Sequence, residues 1–285
     1  MNYRHAFHAG NFADVLKHIV LARCLVHLRE KPAPFRVIDT HAGLGFYDLK
    51  SKEAGRTGEW EGGIGRLLAV NPPSDVEKLL VPYREAIERV RAFHGESIYP
   101  GSPEIARGLL RGEDRLILVE KHPEDARRAK ENFAFDGRAK LLERDGYEAL
   151  NALVPPKEKR GLILIDPPYE ERDEFDHVVD VIRQVYRKFS TGVYMVWYPL
   201  KAGLPVEAFY RAMVELEIPK ILRIEQRVRG ERSGEGLAGS GILIINPPWH
   251  LKDEMTLCLG FLDKIIATGE GHSVRCDWLA PEKTA

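Results

Sequence analysis

The residues Asp166-Pro167-Pro168-Tyr169 follow an unbroken apolar run, Leu162-Ile163-Leu164-Ile165. Each proline fixes its own φ, and a residue before proline is pushed toward extended backbone. The tetrapeptide therefore reads as a rigid shelf at a strand end. It offers the Asp166 carboxylate and the Pro167 carbonyl as two acceptors, and the Tyr169 ring as a stacking face worth about 1–3 kcal/mol per base. Two acceptors in fixed geometry suit the two hydrogens of an exocyclic amine such as that of adenine. The lone pair of that amine is delocalised into the ring, which makes it a poor nucleophile. Accepting both hydrogens favours the pyramidal nitrogen, which can then attack the methyl group of S-adenosylmethionine (SAM) in line. A carboxylate beside the nitrogen also stabilises the positive charge that develops there.

A second tetrapeptide, Asn246-Pro247-Pro248-Trp249, follows another apolar strand, Ile242 to Ile245. Asparagine still accepts hydrogen bonds but carries no charge. The strands at about 221–228 and 241–245 are joined by a glycine-rich loop and no helix, so they are expected to pair antiparallel. The carboxyl end of the last strand then falls on the rim opposite the ligand, which argues against Asn246 as the catalytic position.

Acidic residues also close the other expected strands. Asp39 precedes Thr40-His41-Ala42-Gly43-Leu44-Gly45, Glu120 ends a strand at Leu116–Val119, and Asp145-Gly146 follows one near Ala139–Leu142. An acid after the second strand of such a sheet suits a ribose diol. Glycines in the first loop let backbone approach a ligand, but the loop lacks the full G-x-G-x-x-G spacing of a dinucleotide fold.

These residues need a scaffold that brings strand ends together. Apolar runs alternate with helical periodicity: helices at about 11–30, 123–134, 174–188 and 205–215, and seven strands in all. The helix at 11–30 reads as amphipathic, with Asn11 as N-cap and Asp14 in its first turn. Ser102 reads as the N-cap of another helix, with Pro103 in first position. Repeated βα units imply an α/β fold with a mostly parallel, doubly wound sheet, which binds ligands beyond the carboxyl ends of its strands. Residues 46–98 break this rhythm and read as a mainly helical insertion after the first strand.

The chain has 285 residues, with 42 Lys and Arg against 43 Asp and Glu. That balance neither requires nor excludes a nucleic-acid partner. Arg223, Arg227, Arg229 and Arg232, and separately Arg138, Lys140 and Arg144, are the clusters that could meet phosphates. Cys24, Cys258 and Cys276 have no metal or disulfide spacing and read as reduced thiols. His5 and His8 stand at helical spacing, yet no metal site is expected. No apolar run of membrane-spanning length exists, and the first residues lack a signal peptide's apolar stretch.

Several longer motifs carry a resemblance. Tyr3-Arg-His-Ala-Phe-His-Ala-Gly-Asn11 with Ala13-Asp-Val-Leu-Lys-His18, Asp39-Thr-His-Ala-Gly43, Tyr99-Pro-Gly-Ser-Pro103, Arg160 to Tyr169, and Asn246 to Trp249 together resemble the RlmJ-type bacterial 23S rRNA adenine-N6-methyltransferases. The resemblance spans nearly the whole chain. It implies one Rossmann-like domain over 1–285, with a small helical subdomain inserted at 46–98. It also implies SAM contacts at His18, His41, Ser102, Glu120, Asp145 and Gly146, a catalytic shelf of Asp166, Pro167 and Tyr169, and a role for Tyr3 on the RNA side. The substrate implied is one adenine of 23S rRNA, free or incompletely assembled, and the enzyme is expected to be a cytoplasmic monomer without a membrane partner. The alternatives are an adenine-N6 DNA methyltransferase, a glutamine-amide methyltransferase centred on Asn246, and a non-catalytic SAM- and RNA-binding assembly factor.

Overall fold

A computed structural model describes residues 4–232 and 236–282. A short 3-10 turn, His5–Phe7, precedes α1 (Phe12–Arg29), β1 (Arg36–Asp39) and β2 (Phe46–Asp48). A helical stretch follows: α2 (Lys52–Thr57), a π turn (Glu61–Gly65) running into α3 (Arg66–Leu68), and α4 (Ser74–His94). Then come β3 (Ile98–Pro100), α5 (Ser102–Leu109), β4 (Arg115–Glu120), α6 (Pro123–Asn132), β5 (Ala139–Glu143) and α7 (Gly146–Leu153). The chain continues through β6 (Gly161–Ile165), α8 (Glu174–Lys188), β7 (Val193–Leu200), α9 (Val206–Glu215), β8 (Ile221–Arg227), β9 (Gly239–Ile245), α10 (Leu251–Ile266) and β10 (Ser273–Ala280).

The main sheet has the order β10-β8-β9-β7-β6-β1-β4-β5. It holds eight strands, not the seven expected. The additional strand is β10, which pairs antiparallel with β8 at the edge. Val274, Cys276 and Trp278 alternate there with Ser273, Arg275 and Asp277, a strand signal that the sequence reading passed over, and none of its residues is fully buried. The central strands pair in parallel from β5 to β7. β6 is buried along its full length, as a parallel strand covered on both faces must be. The order reverses at β1, which lies between β4 and β6. Such a switch point opens a crevice at the strands' carboxyl ends.

β9 runs antiparallel to both β7 and β8, and Ile245 at its end sits opposite Tyr194 and Ile221, near those strands' beginnings. The carboxyl end of β9 thus lies on the rim away from the crevice, as its hairpin connection required.

α1 corrects the reading of its sequence. It is not an amphipathic surface helix. Val15, Leu16, Ile19, Val20, Leu21, Ala22, Cys24 and Leu25 are fully buried, and Asp14, Lys17 and His18 are buried as well. A helix apolar round most of its girth belongs in a core, so its polar stripe must be satisfied inside the protein. The stretch between β2 and β3 packs onto the start of this helix. The amide of Ile64 donates to the Gly10 carbonyl at 2.8 Å. A Cβ on Gly63 would lie 2.3 Å from that same carbonyl oxygen, so only glycine lets the two segments meet.

Candidate active site

The buried polar stripe of α1 meets the end of β6. Asn11 caps the helix, its side chain accepting from the amides of Ala13 and Asp14. Three and six residues beyond that cap stand Asp14 and Lys17. Lys17 Nζ donates to Asp166 Oδ2 at 2.6 Å and pairs with Asp14 Oδ1 at 2.9 Å. His5 Nε2 lies 2.9 Å from Asp14 Oδ2, so Asp14 is held from both sides. Burial alone would raise the Asp14 carboxyl, but His5, Lys17 and His18 outweigh it and hold it well below the carboxylate range. Burial would likewise lower Lys17, yet Asp14 and Asp166 hold it well above the ordinary lysine value. The lysine is therefore a fixed cation between two carboxylates. Among the described residues, Asp166 Oδ1 receives no hydrogen bond and remains free to accept one.

The shelf itself is tightly held. Tyr169 has φ 51°, in the left-handed region that a bulky residue rarely adopts. Its hydroxyl donates to the Trp197 carbonyl at 2.8 Å, and its ring packs beside Phe175 and Trp197 at 4.6 and 5.7 Å. Trp197 is tied in turn by its indole N–H to Ser240 Oγ at 2.9 Å.

Asp166, Pro167 and Tyr169 line a cavity of about 790 Å³ that also takes in His18, His41, Ser102, Glu120, Asp145 and Gly146. All nine described residues singled out in the sequence thus face one space. The tenth, Tyr3, lies outside the described residues. Glu120 accepts the Gly43 amide at 2.8 Å and the His122 amide at 2.7 Å, one on each oxygen. Burial raises its carboxyl, against the pull of those amides. Asp145 caps α7 through the amides of Tyr147 and Glu148 and pairs with Lys121 at 3.0 Å.

Ser102 is not the N-cap of α5. Gly101 takes that place, and Ser102 instead donates to Asp39 Oδ2 at 2.7 Å. Burial pushes the Asp39 carboxyl up to about 7; the Ser102 hydroxyl opposes this and Asp166 adds to it. Burial lowers His18 to about 3 and His41 to about 4, so both rings are neutral. His18 lines the cavity, its Nδ1 bonded to the Tyr99 hydroxyl at 2.7 Å and its Nε2 buried without a hydrogen-bond partner, 3.9 Å from Asp14 Oδ1. The absence of a side chain at Gly146 has its own cause: a Cβ there would sit 2.3 Å from the Thr40 carbonyl at the end of β1.

His8 pairs with Glu59 at 3.0 Å and His5 with Asp14, so each histidine has a separate carboxylate. Among the described residues no group of three or more metal-ligating side chains forms. Three of the arginines considered for phosphate contact are engaged elsewhere, while Arg144 and Lys140 are exposed and form no ion pair among the described residues. Arg223 is buried against Asp277 at 2.9 Å, Arg227 pairs with Glu231, and Arg138 pairs with Asp136 at 2.7 Å.

The arrangement joins an acid on β4 suited to a diol with an acceptor shelf on β6. A family model described as "Ribosomal RNA large subunit methyltransferase D, RlmJ" matches residues 32–280. The chain belongs to the RlmJ family. Over 283 residues it is 41% identical to the Escherichia coli protein named ribosomal RNA large subunit methyltransferase J, covering 99% of this chain and all of that one. The Haemophilus influenzae protein of the same name is 40% identical over 284 residues, with the same coverage. A crystal structure of a Legionella pneumophila protein superposes with a TM-score of 0.86 at 39% identity, over 97% of this chain and 99% of that one.

Two residues that line this cavity, Lys17 and Trp197, escaped the sequence reading as parts of the site. Lys17 pairs with Asp166 across 149 positions in the chain, and no local pattern announces that. Trp197 lies within a strand whose other residues are core. The signal available was the charge itself: Asp14 and Lys17 sit among apolar residues on a helix, which demands a buried partner.

Proposed function

We propose that the protein methylates the N6 amine of one adenine in 23S ribosomal RNA by direct transfer from SAM. The observation that carries this reading is the shared cavity, in which Glu120 and the Asp166–Tyr169 shelf stand at strand ends on either side of β1.

The residues present fit SAM. The Glu120 carboxylate uses one acceptor site on each oxygen for backbone and keeps the others for a ribose diol. The unpartnered His18 Nε2 offers a buried polar atom. His41, Ser102, Asp145 and Gly146 complete the binding wall, and an acidic lining suits a cationic ligand. When bound, SAM supplies an electrophilic methyl group on a sulfonium.

The chain's own groups do the rest. Asp166 Oδ1 and the Pro167 carbonyl accept the two amine hydrogens and free the nitrogen lone pair. The Asp166 charge, held in place by Lys17, stabilises the cationic nitrogen as it forms. The rings of Tyr169 and Trp197 flank the base, which has to leave its stack to present its amine edge. Tyr3 acts on the RNA side. Residues 46–98 serve as an inserted subdomain that secures the N-terminal segment, with Glu59 on His8 and on the Asn11 amide. The substrate is free or incompletely assembled rRNA, and the enzyme acts as a cytoplasmic monomer; among the described residues no helix is long and apolar enough to cross a membrane.

The test is incubation with methyl-labelled SAM and either 23S rRNA or duplex DNA, followed by nucleoside mass spectrometry. Label in N6-methyladenosine from rRNA alone is expected. Label in DNA alone, or at any other atom, overturns the reading.

A further inference from the structure

The catalytic cavity is an unfriendly mouth for a polyanion. Its lining carries ten carboxylates against three lysines. RNA affinity comes largely from cations that meet phosphates, and Arg223, Arg227 and Arg138 are already paired. Two cations that form no ion pair among the described residues, Lys31 and Lys159, lie outside that cavity.

They stand at the other end of the sheet. A groove of about 380 Å³ opens there between the loop after α1, the start of β6 and the turn after β9. Its lining includes Lys31, Lys159, Arg160 and Trp249 and contains no carboxylate. Lys31 and Lys159 are exposed, and neither forms an ion pair among the described residues. Their backbones are fixed. The Lys31 carbonyl accepts from Arg111 at 2.9 Å, and the Lys159 amide donates to Pro156 at 2.9 Å. Arg160 is locked by bonds to the carbonyls of Leu28 and Ala33 at 2.6 and 2.8 Å. Trp249 is 76% exposed, though it sits in a rigid setting. Pro248 precedes it and is buried, and the Pro248 carbonyl accepts the Leu251 amide to begin α10. An indole held in water beside unpaired lysines is the composition that binds single strands, with bases on the ring and phosphates on the ammonium groups.

We propose that this groove is a second RNA-binding site, which takes an unpaired nucleotide on Trp249 and its flanking phosphates on Lys31 and Lys159. The inference rests on RNA being the substrate. Gly161 lines the groove, and Asp166 stands five positions on at the far end of β6. At ~3.3 Å per residue the two sites are roughly 17 Å apart along that strand. The groove therefore grips a flanking segment of the substrate rather than the target base, and sets affinity rather than turnover.

The test uses a fluorescein-labelled oligouridylate of about 15 nucleotides, which has no adenine for the shelf. Anisotropy is measured at several salt concentrations for the full chain. Trp249→Ala is expected to weaken binding at least about fivefold, while Trp249→Phe, which keeps a stacking ring, stays within about twofold. Lys31→Glu with Lys159→Glu weakens binding further and flattens its salt dependence. With 23S rRNA, Trp249→Ala raises KM and leaves kcat unchanged. If wild type fails to bind the oligonucleotide, or the variants bind it as wild type does, the groove is not an RNA site. That result leaves the catalytic reading standing if wild type methylates rRNA. Conversely, Trp249-dependent binding without any rRNA methylation would keep the groove and sink the catalytic reading.

Discussion

Two diproline turns end two apolar strands of one sheet, and they have become different objects. Asp166-Pro-Pro-Tyr169 leaves β6 on the crevice rim, and its first residue is paired with a buried lysine. Asn246-Pro-Pro-Trp249 leaves β9 on the opposite rim, and its first residue bonds only to backbone, Nδ2 donating to the carbonyls of Ser190 and Gly192 at 2.8 Å each. Even the strained position differs. In the first turn it is the aromatic Tyr169, and in the second it is Asn246 itself, at φ 54°. Asn246 thus defies the extended bias of a residue before proline. Strand direction, more than the letters of the motif, decides which turn faces the crevice.

The comparison breaks most decisively at the carboxylate. Asp166→Ala is expected to cut methyl transfer by about a thousandfold or more, with the Kd for SAM within a few-fold of wild type by calorimetry. Asn246→Ala should keep transfer within a few-fold. Adding Asn246→Asp to Asp166→Ala should restore nothing, because the new carboxylate lies on the wrong rim. Loss of transfer in folded Asn246→Ala, with activity kept in Asp166→Ala, would reverse the assignment of the two turns.

Lys17 is the next point of attack, since only the first turn has a buried counter-charge. Lys17→Met leaves buried Asp14 and half-buried Asp166 without their cation, at a cost of about 3–5 kcal/mol. Protonating either acid relieves the repulsion. The loss should therefore be smaller at pH 5 than at pH 8 in urea denaturation. A loss that ignores pH would mean the lysine contributes through packing and not through charge.

How much of this was legible beforehand follows the range of the signal. The shelf, its apolar strand and the antiparallel hairpin that excludes Asn246 rest on local pattern, and each lies where the sequence puts it. The acids at the ends of β1, β4, β5 and β6 were visible for the same reason. Lys17 against Asp166 was not, because it joins a helix to a strand far along the chain, and a lone lysine on a helix looks solvated. β10 was missed although Val274, Cys276 and Trp278 alternate with polar residues, because the run follows the last expected strand and lies at a water-exposed edge. Ser102 was read as a cap by type; a buried acid, Asp39, claimed its hydroxyl instead. Electrostatic partners belong to the assembled fold, whereas shelves and strands belong to the local chain.

Acid crowding also separates the rims in their response to pH. Asp39 is raised by burial from an ordinary 3.8 to about 7, so between those values the folded protein keeps a proton that the unfolded chain gives up. Its contribution to stability is full below about pH 4 and is lost as pH rises through 7. Asp39→Asn should remove that loss. Its stability relative to wild type should climb by on the order of 2–4 kcal/mol between pH 4 and 8, read from denaturation midpoints. Asn246→Ala, which removes no titratable group, should show no such climb. A flat difference for Asp39→Asn would mean that water or Lys17 keeps the acid ionised.

The smallest effect isolates what the second turn is for. Asn246 does two jobs: its amide satisfies two carbonyls ahead of β7, and its backbone accepts a left-handed φ. Asn246→Gly loses the amide but keeps the conformation. Asn246→Ala loses the amide and still keeps a Cβ where φ is positive, which leaves it about 1 kcal/mol less stable than the glycine variant. Both variants should be destabilised by roughly 1–3 kcal/mol for the lost bonds, with alanine the worse of the two. Equal midpoints would show that the turn relaxes when the amide goes, so that side-chain bonding alone forces the strain. Unequal midpoints would show that the left-handed backbone is imposed by the hairpin's exit. Asparagine would then stand there because, after glycine, it tolerates that conformation best, and its likeness to the catalytic motif would be a coincidence of turn chemistry.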